Sequence, residues 1–420
     1  MVQTDDGIHR SPSWLDTLSV MAIDLGDEQS LTLSQLDQSL LLQPSQLQGN
    51  PRDALEQLKN GALYWDPIMG VLVGRNHVLH QLGSAKEINL VDFGAPENPK
   101  LELVSGTSDS ASAHANDLWY LSQFLGDWPQ ETGRGVKIAV IDSGVAGLPG
   151  CLDGAIVDFL SLENPESNAW DNDSSFHGTQ CCGVIGSRNF GEPRTSVAPD
   201  CGILIGQVSS TKDKGYIAAV EFILLTSWAV AKGARIISFS YVVTETTVSK
   251  HANPELFSVV AKNLRQNNAA LIFCAAGNAD GPLYLPAAAD GMIAVSGYLP
   301  GKNDMGPVRA HIGLAGFTDV PAKSEFFLGP SQAVASLLPA AGSASHEPAH
   351  FALSSAACAF VAGIAALYLE AFETDNLEQI LLRMRKCAKP VFDAKSGRSW
   401  AGACFPPPKD SNSHHSRGLP

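Results

Sequence analysis

VKIAVIDSG, residues 136–144, lies about a third of the way along a chain of 420 residues. From Val136 to Ile141 it is almost unbroken apolar sequence, with Lys137 the sole exception. A strand covered on both faces needs that pattern, because side chains alternate between two buried layers. Asp142 follows at the carboxyl end, where open α/β sheets gather their functional groups.

Similar runs follow downstream: GILIGQV (202–208), RIISFS (235–240) and ALIFCAAGN (270–278). Between them lie helical patterns, HGTQCCGVIG (177–186), the long YIAAVEFILLTSWAVAKGA (216–234) and PELFSVVAKNLRQ (254–266). Alternating strands and helices predict βαβ units, and therefore an α/β domain with a mostly parallel central sheet in a three-layer sandwich.

Three reactive side chains sit at the ends of these elements. Asp142 ends a buried strand. His177 begins a helix of small residues, in which Gly183 and Gly186 allow close packing. Ser355 stands at the start of another, SSAACAFVAG (354–363), at the positive end of its dipole. An aspartate that accepts from one imidazole nitrogen leaves the other as a general base, and such a base activates a serine hydroxyl. Taken singly, each residue also fits an ordinary cap or turn; the combination points to nucleophilic catalysis. A fourth residue, Asn278 in FCAAGN, follows a strand at Gly277, and its side-chain NH₂ with the backbone N–H of Ser355 would form an oxyanion site.

Composition narrows the class. Hydrophobic residues make up 45% of the chain, with 38 glycines, as in a compact enzyme with many turns. A formal net charge of -15 argues against nucleic-acid binding, which needs clustered Lys and Arg. The first 30 residues carry Asp5, Asp6, Asp16 and Asp24 and no cationic stretch leading into an apolar run, so a cytoplasmic protein is expected. The longest apolar run, Ala356–Leu369, is shorter than the roughly 18 residues of a membrane span, and a buried helix is expected there. The eight cysteines, Cys151, Cys181, Cys182, Cys201, Cys274, Cys358, Cys387 and Cys404, lack zinc-finger spacing, and packed thiols are expected.

The order Asp142, His177, Asn278, Ser355, with the words IDSG, HGTQCCGVIG, AAGN and SSAACAFVAG, resembles the subtilisin-like serine peptidases over residues 130–375. SVAPDCGIL (196–204) and YLPAA (284–288) add to the likeness. The resemblance implies a serine endopeptidase with Asp142, His177 and Ser355 as its triad and Asn278 as an oxyanion donor. It also implies that Ser240, Tyr241 and Val242 pair with extended substrate backbone, and that Ala275, Ala276 and Gly277 line a substrate pocket. Peptide or protein substrates are the expected partners, with neither nucleic acid nor membrane, and oligomeric state is left open.

The chain departs from the family's pattern at Leu353-Ser354, where Gly-Thr is usual, and at Ala359, where Pro is usual, which implies altered turnover or substrate choice. No cofactor is expected. Asp171, Asn172 and Asp173 lack a diagnostic calcium spacing and read as a solvated loop before His177.

Two other readings share the same motifs. One is a dedicated leader-peptide processing or transpeptidating enzyme of a peptide-modification pathway, though only 34 residues separate Asp142 from His177, little room for the capping insertion usual in macrocyclising relatives. The other is a catalytically weak peptide-binding module, because Leu353 and Val242 crowd the cleft.

Residues 1–115 read as a separate α+β region, with a helix near PRDALEQLKN, a hairpin in ALYWDPIMGVLVG, strands at EINLVDFG and PKLELVSG, and a small, polar linker at 106–117. Its size and place resemble an inhibitory, chaperone-like propeptide cut at the linker. The catalytic domain is placed at 116–395, and residues 396–420 are expected to form a disordered tail.

Overall fold

The structure is a computed structural model. It describes residues 2–3, 9–10, 64–66, 71–73 and 78–81, and residues 120–405 apart from 121–123, 126–128, 147–149, 163–175, 189–193, 209–215, 243–253, 279–282, 300–308, 311–324, 341–344 and 394–397. The expected helix at PRDALEQLKN, the strands at EINLVDFG and PKLELVSG, the linker and the cluster Asp171, Asn172 and Asp173 lie outside the described residues.

In chain order the main elements are β1 (Tyr64–Asp66), β2 (Val71–Val73), β3 (Val78–Gln81), β4 (Lys137–Asp142), β5 (Ile156–Ser161), α1 (His177–Gly186), β6 (Gly202–Gln207), β7 (Tyr216–Ala218) and α2 (Ala219–Ala231). They continue with β8 (Ile236–Phe239), β9 (Tyr241–Val242), α3 (Pro254–Gln266), β10 (Leu271–Ala275), β11 (Ile293–Leu299), β12 (Glu325–Pro330), β13 (Val334–Pro339) and β14 (His346–Phe351). The last are α4 (Leu353–Ala371), α5 (Leu377–Cys387), β15 (Lys389–Asp393) and β16 (Arg398–Gly402). β1 and β2 pair antiparallel, as the hairpin pattern predicts.

The central sheet has the order β15-β16-β12-β11-β10-β8-β4-β6-β5. Along this path its strands run parallel except at β15. The strand that opened the sequence reading is buried on both faces. Ile138 and Val140 enter one core with α1 and α4, whereas Ala139 and Ile141 enter a second core with α2 and α3. That two-sided burial explains the absence of apolar-polar alternation.

α4 runs through the first core and is buried from Leu353 to Leu369. By length and composition it is apolar enough to cross a membrane, but its apolar surface is covered by the rest of the fold. Small residues let it approach its neighbours: a Cβ on Gly363 would lie 2.7 Å from Val197 Cβ. α1 is buried throughout and packs against α4 and β13.

The sheet continues past the boundary drawn at 395. β16 pairs with β15 and with β12, the Trp400 and Phe326 rings meet at a tilt with centres 5.1 Å apart, and Ala403, Cys404 and Phe405 are buried. Residues 398–405 therefore belong to the catalytic domain, which corrects the expectation of a disordered tail from 396. The polar KSG (395–397) before them and the PPPK after them mask a short strand in composition.

Candidate active site

Asp142 emerges from the end of β4 and is 2% exposed. Its Oδ1 accepts from the Ser143 backbone N–H at 2.8 Å and the Ser143 hydroxyl at 3.1 Å, and lies 2.8 Å from His177 Nδ1. A carboxylate only accepts, so the imidazole proton sits on Nδ1 and Nε2 is the basic nitrogen. Burial alone would push the Asp142 carboxyl upward. The facing His177 and the hydrogen bonds from His177 and Ser143 outweigh it and hold the group below the ordinary value of 3.8.

His177 is fixed from several sides. It starts α1, its ring meets the edge of Phe351 at 5.3 Å, and the next residue donates its N–H to the Ser143 hydroxyl at 3.0 Å. The loop after Asp142 is latched to the same helix, because Thr179 Oγ1 accepts the Ala146 N–H at 3.0 Å. Gly178 is required by space: a Cβ there would stand 2.2 Å from the Gly144 carbonyl oxygen.

Asn278 follows β10. Its Oδ1 accepts the backbone N–H of Ser354 at 3.0 Å and the Ser354 hydroxyl at 2.6 Å. With the oxygen held, the amide NH₂ is directed away from Ser354 as a donor. Ser355, the next residue, lies in the first turn of α4 and is 1% exposed. The turn before it is anchored by Leu353, whose N–H donates to Ser331 O at 2.8 Å and whose φ is 69°.

The sequence-derived residues thus fall into two joined pairs, Asp142 with His177 and Asn278 with the residue preceding Ser355. The pairs are carried by α1 and by the β10 end and α4, at the carboxyl ends of the neighbouring strands β4, β8 and β10. Ser240, Tyr241 and Val242 extend from β8 into β9. Ala275 and Ala276 are fully buried in the core, and Gly277, at φ 111°, lies under the Tyr284 ring, which a Cβ would meet at 2.2 Å. Those two alanines pack in the core, and Tyr284 covers the glycine.

β9 is paired. β3 runs antiparallel to it, with Tyr241 opposite Gln81 and Val242 opposite His80. The other edge of β3 pairs with β7, Val78 opposite Ala218 and His80 opposite Tyr216. A stretch from the amino-terminal region therefore forms the middle strand between two strands of the catalytic domain.

None of the eight cysteines forms a disulfide. Cys181 does more than fill space. Its thiol, pushed well up by burial and by the Asp142 carboxylate, donates to Asp142 Oδ2 at 3.7 Å. Sequence reasoning missed Ser143, Ser354, Phe351, Tyr284 and this thiol. For Cys181 a signal existed, since it lies one helical turn beyond His177 on the same face.

The sheet order and its flanking helices define a subtilisin-like α/β fold, with Asp142 paired to His177 and Ser355 at the start of a buried helix. A family model described as the subtilase family, peptidase S8, matches residues 133–397, and the chain belongs to that family. The minor extracellular protease Epr of Bacillus subtilis (strain 168) is 27% identical over 214 residues, 50% of this chain and 30% of Epr. The curated relatives it matches are covered over less than half of their own length. The structure of fervidolysin from Fervidobacterium pennivorans, a keratinolytic enzyme related to subtilisin, aligns with a TM-score of 0.56 at 19% identity, over 81% of this chain and 53% of that one. The prenylagaramide maturation protease PagA aligns with a TM-score of 0.50 at 22% identity, over 64% of this chain and 90% of that one. Both share the fold.

Proposed function

We propose that the chain is a serine endopeptidase. Ser355 Oγ attacks a peptide carbonyl carbon while His177 Nε2 takes its proton, and the same nitrogen then protonates the departing amine. Asp142 holds the imidazole in the required tautomer. Asn278 and the backbone N–H of Ser355 donate to the oxyanion. The observation that carries this reading is the 2.8 Å contact between buried Asp142 and His177, with Asn278 tied to the neighbour of Ser355. A fluorophosphonate probe tests it: mass spectrometry should find the adduct on Ser355 and none after His177→Ala. Labelling that survives in His177→Ala, or that falls on Ser354, overturns the assignment.

A second observation favours self-occupation of the cleft. The family resemblance assigns substrate backbone to the edge of Ser240–Val242, and β3 takes that edge, stabilised by main-chain pairing on both sides. Residues 78–81 then act as an intramolecular pseudo-substrate, in keeping with a propeptide role for the amino-terminal region. Proline at position 80 removes an N–H from the middle strand. His80→Pro in the full chain should raise peptide cleavage several-fold, and an unchanged rate refutes self-inhibition while leaving the peptidase reading intact.

PagA is named a prenylagaramide maturation protease, and another protein of the same fold is named a lanthipeptide protease. For this chain, dedicated leader removal remains the alternative to broad proteolysis. A peptide-library cleavage profile separates them, one narrow motif supporting the first and many unrelated cuts the second.

A further inference from the structure

Phe176 breaks three local preferences at once, one residue before His177. It is the N-cap of α1, with φ 58° and ψ 9°. That left-handed backbone suits Gly, Asn or Asp, and a bulky side chain there is strained. An N-cap also favours Ser, Thr, Asp or Asn, whose oxygen takes an N–H of the first turn; Phe has no such oxygen and makes no side-chain cap bond. Finally, the ring is 38% exposed, although Phe is normally buried. Among the described residues, Val157 and Leu382 are the other large hydrophobics so exposed.

The work of a cap is done by another residue. The Ser143 hydroxyl accepts the Gly178 N–H at 3.0 Å while it donates to Asp142 Oδ1 at 3.1 Å. The Phe176 carbonyl takes part in α1, accepting the Gln180 N–H at 3.0 Å. With a donor of the first turn satisfied from outside the helix, the side chain at 176 is released from capping. It stands on a firm base, because α1 is buried throughout and His177 is held by Asp142 and by the edge of Phe351.

We propose that Phe176 is a specificity-determining residue, whose ring packs against an aliphatic or aromatic side chain of the bound peptide at a position next to the bond that is cleaved. Consecutive Cα atoms are about 3.8 Å apart, so the ring is carried at the border of the group that exchanges protons with Ser355 and the departing amine. A bound apolar side chain covers the ring and removes both apolar surfaces from water, which gives an otherwise costly residue its use. Strain kept beside a reactive group is where local preference yields to ligand contact. The place beside the cleaved bond rests on the peptidase reading; the preference for apolar peptides does not.

Peptide binding to the full chain carrying Ser355→Ala tests the contact without turnover. The probes are two fluorescent octapeptides, one alternating Gly and Leu and the other alternating Gly and Ser. The Leu peptide should bind at least about tenfold tighter than the Ser peptide. That ratio should collapse in Ser355→Ala/Phe176→Asn and survive in Ser355→Ala/Phe176→Tyr. Asn tolerates the left-handed backbone and supplies a cap oxygen, so Phe176→Asn should unfold in urea at no lower a midpoint than its parent. No preference for the Leu peptide, or a preference that Phe176→Asn leaves intact, overturns the assignment. A preference lost together with a lowered midpoint marks the ring as structural and overturns it too. A Phe176-dependent preference in a chain whose Ser355 takes no fluorophosphonate keeps the apolar contact and overturns the peptidase reading.

Discussion

Asn278 turns its side-chain oxygen onto Ser354, accepting both the backbone N–H at 3.0 Å and the hydroxyl at 2.6 Å. This contact decides what the amide can do. A carboxamide whose oxygen is held by two donors can offer only its NH₂, so in the proposed mechanism Ser354 positions a donor for the charge that develops on a tetrahedral intermediate.

Replacing the donor and replacing its support should therefore differ in size. Asn278→Ala is expected to lower kcat by about 10² to 10³ with little change in KM. Ser354→Ala keeps the backbone N–H contact and should lower kcat by about tenfold, the worth of one good hydrogen bond. Steady-state kinetics on a peptide substrate checks both, and an Asn278→Ala enzyme with undiminished kcat would remove Asn278 from the oxyanion site.

Asp142 links folding to pH. Its carboxyl is held below 3.8 in the folded chain, so its stabilising share is fully present above that value and disappears as pH falls through the lower folded value. Asp142→Asn should be less stable than wild type in urea at neutral pH, and the gap should narrow below pH about 4. The same variant is expected to lose about 10⁴ in kcat, because asparagine no longer fixes the Nδ1–H tautomer.

Gly178 has no room for a methyl group, which would stand 2.2 Å from the Gly144 carbonyl oxygen. Gly178→Ala should cost about 1–3 kcal/mol in urea denaturation through overpacking. Because the displaced segment carries Asp142 and His177, cleavage should fall by more than the loss of folded protein explains.

Leu353 has a left-handed backbone, φ 69°, at the start of α4. Helix propensity favours Ala over Gly by up to about 1 kcal/mol, but at positive φ an L side chain carries a strain of about 1–2 kcal/mol that glycine avoids. Strain wins at this position. Leu353→Gly is therefore expected to be more stable than Leu353→Ala, and the reverse order in thermal unfolding would show that the backbone relaxes to negative φ.

Elements set by one-dimensional pattern were legible in the sequence. Continuous apolar runs marked β4, β6 and β10 because two-sided burial erases alternation, and the ends of those runs located Asp142 and Asn278. The strand Arg398–Gly402, one in from the sheet edge, is hard to read because it is short and flanked by polar and proline-rich sequence. Cys181 was read as packing because its donor role depends on a carboxylate 39 positions away.

By itself, the sequence determined the family and the layered α/β architecture and singled out the candidate residues for the chemistry, since local hydrophobic period and short motifs encode these without reference to distant neighbours. Only the tertiary structure decided how those residues are held: Ser354 on the oxygen of Asn278, Cys181 on the second oxygen of Asp142, and Val78–Gln81 in the lane between Tyr216–Ala218 and Tyr241–Val242. Each joins atoms far apart along the chain, and their separation is set by how strands and helices pack.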